Sequence, residues 1–159
     1  MLTAFSLYVG GLQAQEKEEG VDFLEGKTFA EALELARESG KMLFVDCYTS
    51  WCPPCRMMAT RIFPQKMVGD YFNEAFVNLK VDMEKGEGPA LQERFRVRAY
   101  PTFLFLDADG KEVNRIVGGD PDAAAFLKKV KESLGARGVS ATAACHGAGE
   151  RTDLPFVGR

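Results

Sequence analysis

The chain has 159 residues, of which 46% are hydrophobic and 27% are charged, and its formal net charge is −3. These values fit one soluble globular domain, and the small charge without a long basic run argues against a nucleic-acid partner. No apolar run reaches the roughly 20 residues that a membrane-spanning helix needs. Four cysteines are too few, and too unevenly spaced, for a disulfide-scaffold protein.

The N-terminal region has the pattern of an export signal. Residues 2–9 are largely apolar, small residues follow, and residues 16–19 are charged. We expect residues 1–14 to form a secretory signal peptide that is cleaved after Ala14, and residues 15–20 to form a linker. The basic start of such signals is missing, so the signal is expected to be truncated. The alternative is a frayed hydrophobic N-terminus on a cytoplasmic protein.

A helix followed by a buried strand opens the predicted domain. Thr28 and Glu31 have the spacing of a capping box, and apolar residues recur at helical spacing from there towards Gly40. The run Met42–Tyr48 is short and almost continuously apolar. Such a run is typical of a strand that is buried on both faces of a sheet.

The later elements continue this alternation. A helix is predicted from Cys52 to Ile62 or Phe63, and Pro64 is expected to begin a second one, because proline suits only the first helical turn. Three further strands are predicted, over Phe76–Asp82, Thr102–Leu106 and Glu112–Val117. A short helix is predicted over residues 88–95, between the first two of these strands. In the last predicted helix Asp120 is the cap and Pro121 the first residue.

The order of these elements predicts one α/β domain over residues 21–135. Strand, helix and strand, followed by a hairpin and a closing helix, imply a central mixed β-sheet flanked by helices on both faces. Residues 136–159 are rich in small and polar residues without periodicity, so we expect a disordered tail there. No role is assigned to Cys145 or His146 within it.

Cys52 and Cys55 form the motif that carries chemistry. Two cysteines three residues apart in a first helical turn satisfy the separation of roughly 4.4–6.8 Å between α carbons that a disulfide needs. A thiolate at a helix N-terminus is stabilised by the helix dipole and by free amides. We therefore expect Cys52 to be the exposed nucleophile and Cys55 the buried thiol that resolves a mixed disulfide. Half of a zinc site is the alternative, but a second cysteine pair is missing.

The two prolines between the cysteines bear on the direction of electron flow. Pro53 and Pro54 have no N–H, so two amides that could donate to a Cys52 thiolate are absent. The only histidine, His146, lies in the predicted tail. A less stabilised thiolate favours a reductase or an electron carrier over a strong oxidase.

Four separated motifs resemble the pattern of the thioredoxin superfamily. They are Asp46 in a buried strand, the Trp51-Cys52-Pro53-Pro54-Cys55 segment, the Tyr100-Pro101-Thr102 triplet before a strand, and Gly118 after the hairpin. The resemblance covers residues 21–135 and implies a thioredoxin fold. Residues 41–64 are most similar to the C-terminal periplasmic domain of the transmembrane thiol:disulfide interchange reductase and to small secreted thioredoxin-like proteins.

The resemblance implies roles for the residues around the thiol pair. Cys52 would be the attacking thiol, Cys55 the resolving thiol, and Asp46 a buried carboxylate that accepts the proton of Cys55. Asn78 occupies the place where many thioredoxins carry a lysine near that acid, which implies altered coupling. Asp46 at a strand end facing water is the alternative, and Cys47 is expected to be a small core residue rather than a third redox thiol.

The resemblance also implies a substrate groove. Pro101 would be a cis-proline beside the cysteines, and its neighbour Tyr100 would offer backbone hydrogen bonds to a substrate strand. Trp51 would pack over the site, and Gly118 would leave room in the groove. Simple packing of Trp51 and a trans Pro101 in a loop are the alternatives. Three methionines are expected in the core: Met57, Met58 and Met67.

Together these expectations describe a thiol–disulfide oxidoreductase that reduces protein disulfides by dithiol exchange. Its partners would be protein thiols and disulfides and an upstream reductase. It would use no metal and no cofactor other than its own disulfide, and would act as an exported, periplasmic monomer. A periplasmic oxidase or isomerase on the same fold is one alternative, and a non-catalytic thioredoxin-like binding module is another.

Overall fold

The computed structural model describes residues 20–135 of the protein. The signal peptide and the C-terminal tail expected from the sequence, with Cys145 and His146, lie outside the described residues. Residues 20–135 form five strands, five α-helices and one π-helical segment: β1 (Phe23–Leu24), α1 (Phe29–Ser39), β2 (Met42–Tyr48), α2 (Pro53–Met57), the π-helical segment (Met58–Ile62), α3 (Lys66–Ala75), β3 (Phe76–Asp82), α4 (Gly88–Arg94), β4 (Thr102–Leu106), β5 (Glu112–Val117) and α5 (Ala123–Leu134).

The five strands form one mixed sheet in the order β1–β3–β2–β4–β5. Strands β1, β3 and β2 are parallel, whereas β4 is antiparallel to both β2 and β5. Strand β2 therefore lies at the centre, and the chain leaves its carboxyl end directly towards the cysteine pair. The predicted mixed α/β sheet is confirmed, and the two-residue strand β1 is an addition that the sequence pattern did not predict.

Helices cover both faces of the sheet, as predicted. Alternate residues of β2 belong to two separate core clusters, because successive side chains of a strand point to opposite faces. Phe44 packs in the cluster that contains α3 and α5 residues such as Phe72 and Phe126. Leu43 and Val45 pack in the other, with residues of α1 and α4. Asp46 has the same parity as Phe44, so it faces the side on which the π-helical segment, α3 and α5 lie.

The capping box of α1 is present. The Glu31 amide donates to the Thr28 hydroxyl, and the Thr28 amide donates to the Glu31 carboxylate over 2.8 Å. The helix ends at Gly40, whose positive φ of 66° suits a residue without a side chain.

Two predicted helix starts are wrong. Helix α5 begins at Ala123 with Asp122 as its cap, because the Asp122 carboxylate accepts from the Ala125 amide over 2.7 Å. Asp120 instead accepts from the Asp122 amide in the preceding turn. Helix α3 begins at Lys66 rather than at Pro64, because the Gln65 carbonyl is the first to accept helical hydrogen bonds.

Candidate active site

The cysteine pair lies where β2 turns into α2. Cys52 is the N-cap residue of α2, and it forms a disulfide with Cys55 across 5.3 Å between the α carbons. Pro53 and Pro54 occupy the first two helical positions and have no N–H to donate. The Cys55 amide is therefore the first available donor of the helix, and it donates to the Cys52 sulfur over 3.2 Å.

The expected difference in exposure between the two cysteines is wrong for this disulfide form. Cys52 is 2% exposed and Cys55 is 5% exposed. Each sulfur covers the other, and the Cys52 sulfur is also turned towards the Cys55 amide. The exposed surface here belongs to the neighbours Trp51, Pro53 and Pro54.

Trp51 stands out from the surface beside the disulfide. Its side chain is 60% exposed, yet it is held in place, because its indole N–H donates to both oxygens of Glu84 over 3.0 Å. The Tyr100 ring meets it edge-on, with the ring centroids 6.0 Å apart. The loop that carries the cysteines and the loop that carries Pro101 are thus in contact.

The second loop contains a cis peptide bond. The Tyr100–Pro101 bond is cis, as predicted. The Gly118 amide donates to the Pro101 carbonyl over 2.8 Å, and Val117 beside it is exposed. Gly118 has a φ of 90°, a conformation that residues with a side chain rarely adopt. Trp51, Tyr100, Pro101 and Gly118 therefore lie along connected segments at one edge of the sheet.

Asp46 is buried on β2, as predicted. It is 2% exposed, and burial raises the pKa of its carboxyl from the ordinary 3.8 to about 6, although the Lys80 ammonium opposes this rise. Oδ2 lies 3.5 Å from Lys80 Nζ, while Oδ1 has no hydrogen-bond partner among residues 20–135. A carboxyl with this pKa is poised to accept and release a proton near neutral pH.

The expectation that Asn78 replaces the lysine next to this acid is wrong. The parallel register of β2 and β3 places Lys80 opposite Asp46 and Asn78 opposite Phe44. The Asn78 amide instead donates to the Asp22 carbonyl over 3.2 Å. A lysine is thus present beside the acid, two residues further along the same face of β3.

Lys80 reaches Asp46 through an aromatic cage. Its ammonium lies 5.0 Å from the ring centroid of Tyr48, 5.2 Å from that of Phe23 and 5.9 Å from that of Phe63. Aromatic faces attract cations. The cage therefore holds the ammonium near Asp46 while leaving the lysine side chain 28% exposed.

The profile of the thioredoxin-like domain matches residues 29–133. The chain belongs to the thioredoxin-like domain family. This match spans the described part of the domain from α1 to α5 and includes the cysteine pair, Asp46, Pro101 and Gly118.

Three similar proteins place the chain within the family. A solved structure of a proposed disulphide-isomerase from Bacteroides thetaiotaomicron is 48% identical, with a TM-score of 0.67, and the match covers 77% of this chain and 99% of that one. The thiol:disulfide interchange protein DsbD of Pseudomonas fluorescens is 31% identical over 67% of this chain, which spans 18% of DsbD. Thioredoxin H2 of Arabidopsis thaliana is 42% identical over 54% of this chain and 59% of its own length.

The other cysteine in the described part of this thioredoxin-like protein lies apart from the redox chemistry. Cys47 is buried, and burial together with the nearby Asp46 charge raises the pKa of its thiol. A thiol that stays protonated is a poor nucleophile. The expectation that Cys47 is a core residue therefore agrees with its surroundings.

The methionines divide between core and surface. Met58 is fully buried and Met57 packs against the same core cluster, as expected. Met67 is 46% exposed on α3, so its assignment to the core is wrong. Gly119 packs closely on the two core methionines, Met57 and Met58. A Cβ added at Gly119 would lie 3.1 Å from Met58 Cγ and 3.2 Å from Met57 Cε.

Three contributors to the site were missed by the sequence reasoning: Lys80, Glu84 and Phe23. Lys80 was missed because Asn78 was taken to stand next to Asp46. Glu84 follows β3 as Trp51 follows β2, and the carboxyl ends of parallel neighbours meet at one edge of a sheet. That rule could have paired Glu84 with Trp51. Phe23 was missed because β1 is too short to give a periodic signal.

No group of three or more potential metal ligands occurs within residues 20–135. Over the same residues, no helix has the length and apolar character to cross a bilayer.

Proposed function

We propose that this protein is a thiol–disulfide oxidoreductase that reduces protein disulfides through Cys52 and Cys55. The observation that carries the proposal is the disulfide itself, held at the first turn of α2 with the Cys55 amide directed at the Cys52 sulfur. Its relatives include thioredoxins and the interchange protein DsbD. The paired thiols argue against a purely structural binding module.

The proposed reaction is two successive thiol–disulfide exchanges. The Cys52 thiolate attacks one sulfur of a substrate disulfide, forms a mixed disulfide and releases one substrate thiolate. The Cys55 thiol then loses its proton to Asp46 and attacks the Cys52 sulfur, which releases the second substrate thiolate. The substrate gains two electrons and the Cys52–Cys55 disulfide forms. An upstream reductase would return the pair to dithiols.

The surface around the disulfide is suited to an extended polypeptide. Trp51 and Tyr100 form one aromatic wall, and Val117 is exposed on the neighbouring strand. We assign the backbone of Tyr100 to hydrogen bonding with the substrate, Pro101 to the face against the disulfide, and Gly118 to the floor of the groove. This arrangement would recognise the main chain of the substrate more than its side chains.

We infer the direction of electron flow from the amides around Cys52. With Pro53 and Pro54 in the first turn, the Cys55 amide is the donor left to stabilise a thiolate there. A Cys52 thiolate therefore has fewer amide donors than a helix start without prolines would provide, and we expect a reduction potential nearer thioredoxin's, about −270 mV, than the strong oxidant's, about −120 mV.

An isomerase is the second candidate, because the similar structure from Bacteroides thetaiotaomicron is described as a proposed disulphide-isomerase. Equilibration of the Cys52–Cys55 pair with glutathione separates the two. A potential above about −180 mV, the value typical of an isomerase, would overturn the reductase assignment.

A trapping experiment tests the roles of the cysteines. Cys55→Ser should accumulate a mixed disulfide between Cys52 and a disulfide-bonded protein substrate, because the resolving thiol is gone. Cys52→Ser should form none, and Cys47→Ser is the matched control that should turn over normally. Failure of Cys55→Ser to trap substrate would contradict the proposed function.

We further propose that the protein works as a monomer in an exported compartment, the periplasm, with a cytoplasmic location as the alternative. Support for export comes from the apolar, signal-like pattern of residues 2–14. Cell fractionation together with the mass of the native protein tests both statements. Recovery in the cytoplasm with residues 1–14 uncleaved would contradict export.

A further inference from the structure

A surface cleft is lined in part by Lys80, the partner of Asp46. Asp46 is 2% exposed, but Lys80, whose Nζ lies 3.5 Å from it, borders a cleft of about 330 Å³. One wall of the cleft is the N-terminal segment, residues 20–23, through Gly20, Val21 and Phe23. The opposite wall comes from the chain after the cysteine pair, through Ala59, Phe63 and Pro64.

The cysteine pair itself leaves little surface open to solvent. Both Cys52 and Cys55 are buried, and their sulfurs are bonded to each other. Asp46 also keeps one carboxyl oxygen without a protein hydrogen-bond partner within residues 20–135. A buried polar atom without a protein partner is commonly satisfied by water. Lys80, whose side chain is 28% exposed, lies between this carboxyl and the cleft that it lines.

The N-terminal wall is fixed by two asparagines. The Asn73 side chain donates to the Gly20 carbonyl over 2.9 Å and accepts from the Asp22 amide over 2.8 Å. The Asn78 side chain donates to the Asp22 carbonyl over 3.2 Å. These bonds hold residues 20–22, which precede β1, and together with the pairing of Phe23 with Asn78 in the sheet they set the position of Phe23.

The wall also contacts the chain that follows the cysteines. The Val21 amide donates to the Phe63 carbonyl over 2.8 Å. A Cβ on Gly20 would lie 2.8 Å from the Phe63 carbonyl oxygen and 2.8 Å from Pro64 Cα. The absence of a side chain at Gly20 therefore allows the two walls to meet closely.

We propose that solvent reaches the Lys80–Asp46 pair through this cleft, and that the wall of residues 20–23 limits how much water enters. Phe23 is then a positioning residue for the proton chemistry of the active site. The inference rests on the proposed function. After Asp46 has taken the proton of Cys55, its carboxyl passes that proton to a water molecule that enters from the cleft past Lys80. The carboxylate opposite Lys80 is thereby restored.

Few other ionisable groups act on Asp46. Its charge interacts with Lys80 on β3 and with the Cys47 thiol and the Tyr48 hydroxyl on its own strand. Cys52 and Cys55, on the helix that follows, do not titrate while they are bonded to each other. A change in the hydration of the cleft should therefore appear chiefly in the titration of Asp46.

Two opposite variants of the full, oxidised protein test the proposal. Ala59→Leu fills the cleft and Phe23→Ala widens it. Thr60→Leu and Leu24→Ala are the matched controls, because Thr60 is exposed on the same π-helical segment and Leu24 packs in the other core cluster. The measurement is the ¹³C NMR titration of the Asp46 carboxyl, assigned with Asp46→Asn.

We expect Ala59→Leu to raise the pKa of Asp46 by about half a pH unit or more, and Phe23→Ala to lower it by a similar amount, because hydration stabilises the charged carboxylate. The controls should leave it unchanged. A second readout is acetylation of Lys80 by a small amine-reactive ester, followed by mass spectrometry. Ala59→Leu should slow this labelling at least twofold and Phe23→Ala should accelerate it.

The outcomes separate this inference from the proposed function. Unchanged Asp46 titration and Lys80 labelling in folded Ala59→Leu would overturn the cleft as the solvent route, even if disulfide reduction is intact. Should Phe23→Ala fail to fold, Ala59→Leu decides alone. Shifted Asp46 titrations in the variants of a protein that reduces no disulfide would refute the proposed function and still support the cleft as the solvent route.

Discussion

The Asp46 carboxylate and the Lys80 ammonium face each other across neighbouring parallel strands, with 3.5 Å between Oδ2 and Nζ. The pair combines a buried carboxylate with a partly exposed cation. Burial disfavours the charged carboxylate and the ammonium favours it, and burial is the larger effect. The balance leaves the pKa of Asp46 at about 6, within reach of physiological pH.

Removal of the ammonium should move this balance. Lys80→Met is expected to raise the pKa of Asp46 above about 6, because desolvation then acts unopposed. If Asp46 accepts the proton of Cys55, resolution of the mixed disulfide slows below that pKa. Its pH profile should therefore shift to higher pH by about one unit or more. Lys80→Arg keeps the charge and should stay close to the parent profile, and identical profiles for all three proteins would contradict the role of Lys80.

The stability of the oxidised protein should depend on Asp46 in a definite direction. The folded-state pKa lies above the ordinary value of 3.8, so the folded protein binds this proton more tightly than the unfolded chain does. Asp46 therefore favours folding below about pH 4, and this contribution is lost as pH rises to about 6. Each unit of pKa shift is worth about 1.4 kcal/mol, so the loss totals roughly 3 kcal/mol.

Asp46→Asn, which has no proton to lose, should thus be more stable than the parent at pH 8 by up to about 3 kcal/mol. The difference should shrink towards pH 4. Urea denaturation of both proteins at the two pH values measures it. Equal free energies of unfolding for the parent and Asp46→Asn at pH 8 would show that the Asp46 carboxyl is not buried as described.

The two thiols of the reduced protein should differ in reactivity. Cys52 occupies the N-cap of α2, where the helix dipole and the Cys55 amide favour a thiolate, and Cys55 lies one turn inside. After reduction, Cys52 should react with iodoacetamide at least about tenfold faster than Cys55. Peptide mass spectrometry gives both rates, and buried Cys47 should stay unlabelled in the folded protein. Equal rates at Cys52 and Cys55 would contradict the assignment of their roles.

Glu84 should govern the substrate surface through Trp51. Glu84→Ala removes the acceptor of the indole N–H, so the exposed ring loses one restraint. The lost hydrogen bond is worth about 1 kcal/mol, and its loss should raise the KM for a protein disulfide about fivefold with little change in kcat. Trp51 is the only tryptophan of the chain, so its emission reports this side chain alone and should change. Glu93→Ala, at an exposed position on α4, is the control and should alter neither.

Local patterns were sufficient to predict much of the fold and the reactive pair. The capping box at Thr28 and Glu31, the buried run of β2 and the Cys52–Cys55 spacing each depend on residues within one turn or one strand. Such features are fixed by short-range geometry, so a single sequence reveals them. The start of α5 was missed by two residues, because Asp120 and Asp122 are both competent caps and only the backbone path decides between them.

Features that depend on how strands are aligned could not be predicted in the same way. Lys80, not Asn78, faces Asp46, and this follows from the register of β2 against β3 rather than from either strand alone. A register shift of two residues keeps the same side chains on the same face of the strand but changes the residue opposite Asp46. The periodicity of the sequence therefore cannot distinguish Lys80 from Asn78. The pairing of Phe23 with Lys80 likewise depends on the position of β1 at the sheet edge.

The alternation of side chains along β2 also separates the Cys47 thiol from the face of the sheet that carries Asp46. Asp46 and Cys47 are adjacent in sequence, but they lie on opposite faces of the central strand, so the sheet stands between the Cys47 thiol and the face that carries the proton acceptor. Disulfide scrambling requires a free thiolate to approach a disulfide sulfur directly. A protein that exchanges disulfides can thus keep a third cysteine in its core without the risk of trapping itself in a wrong pairing.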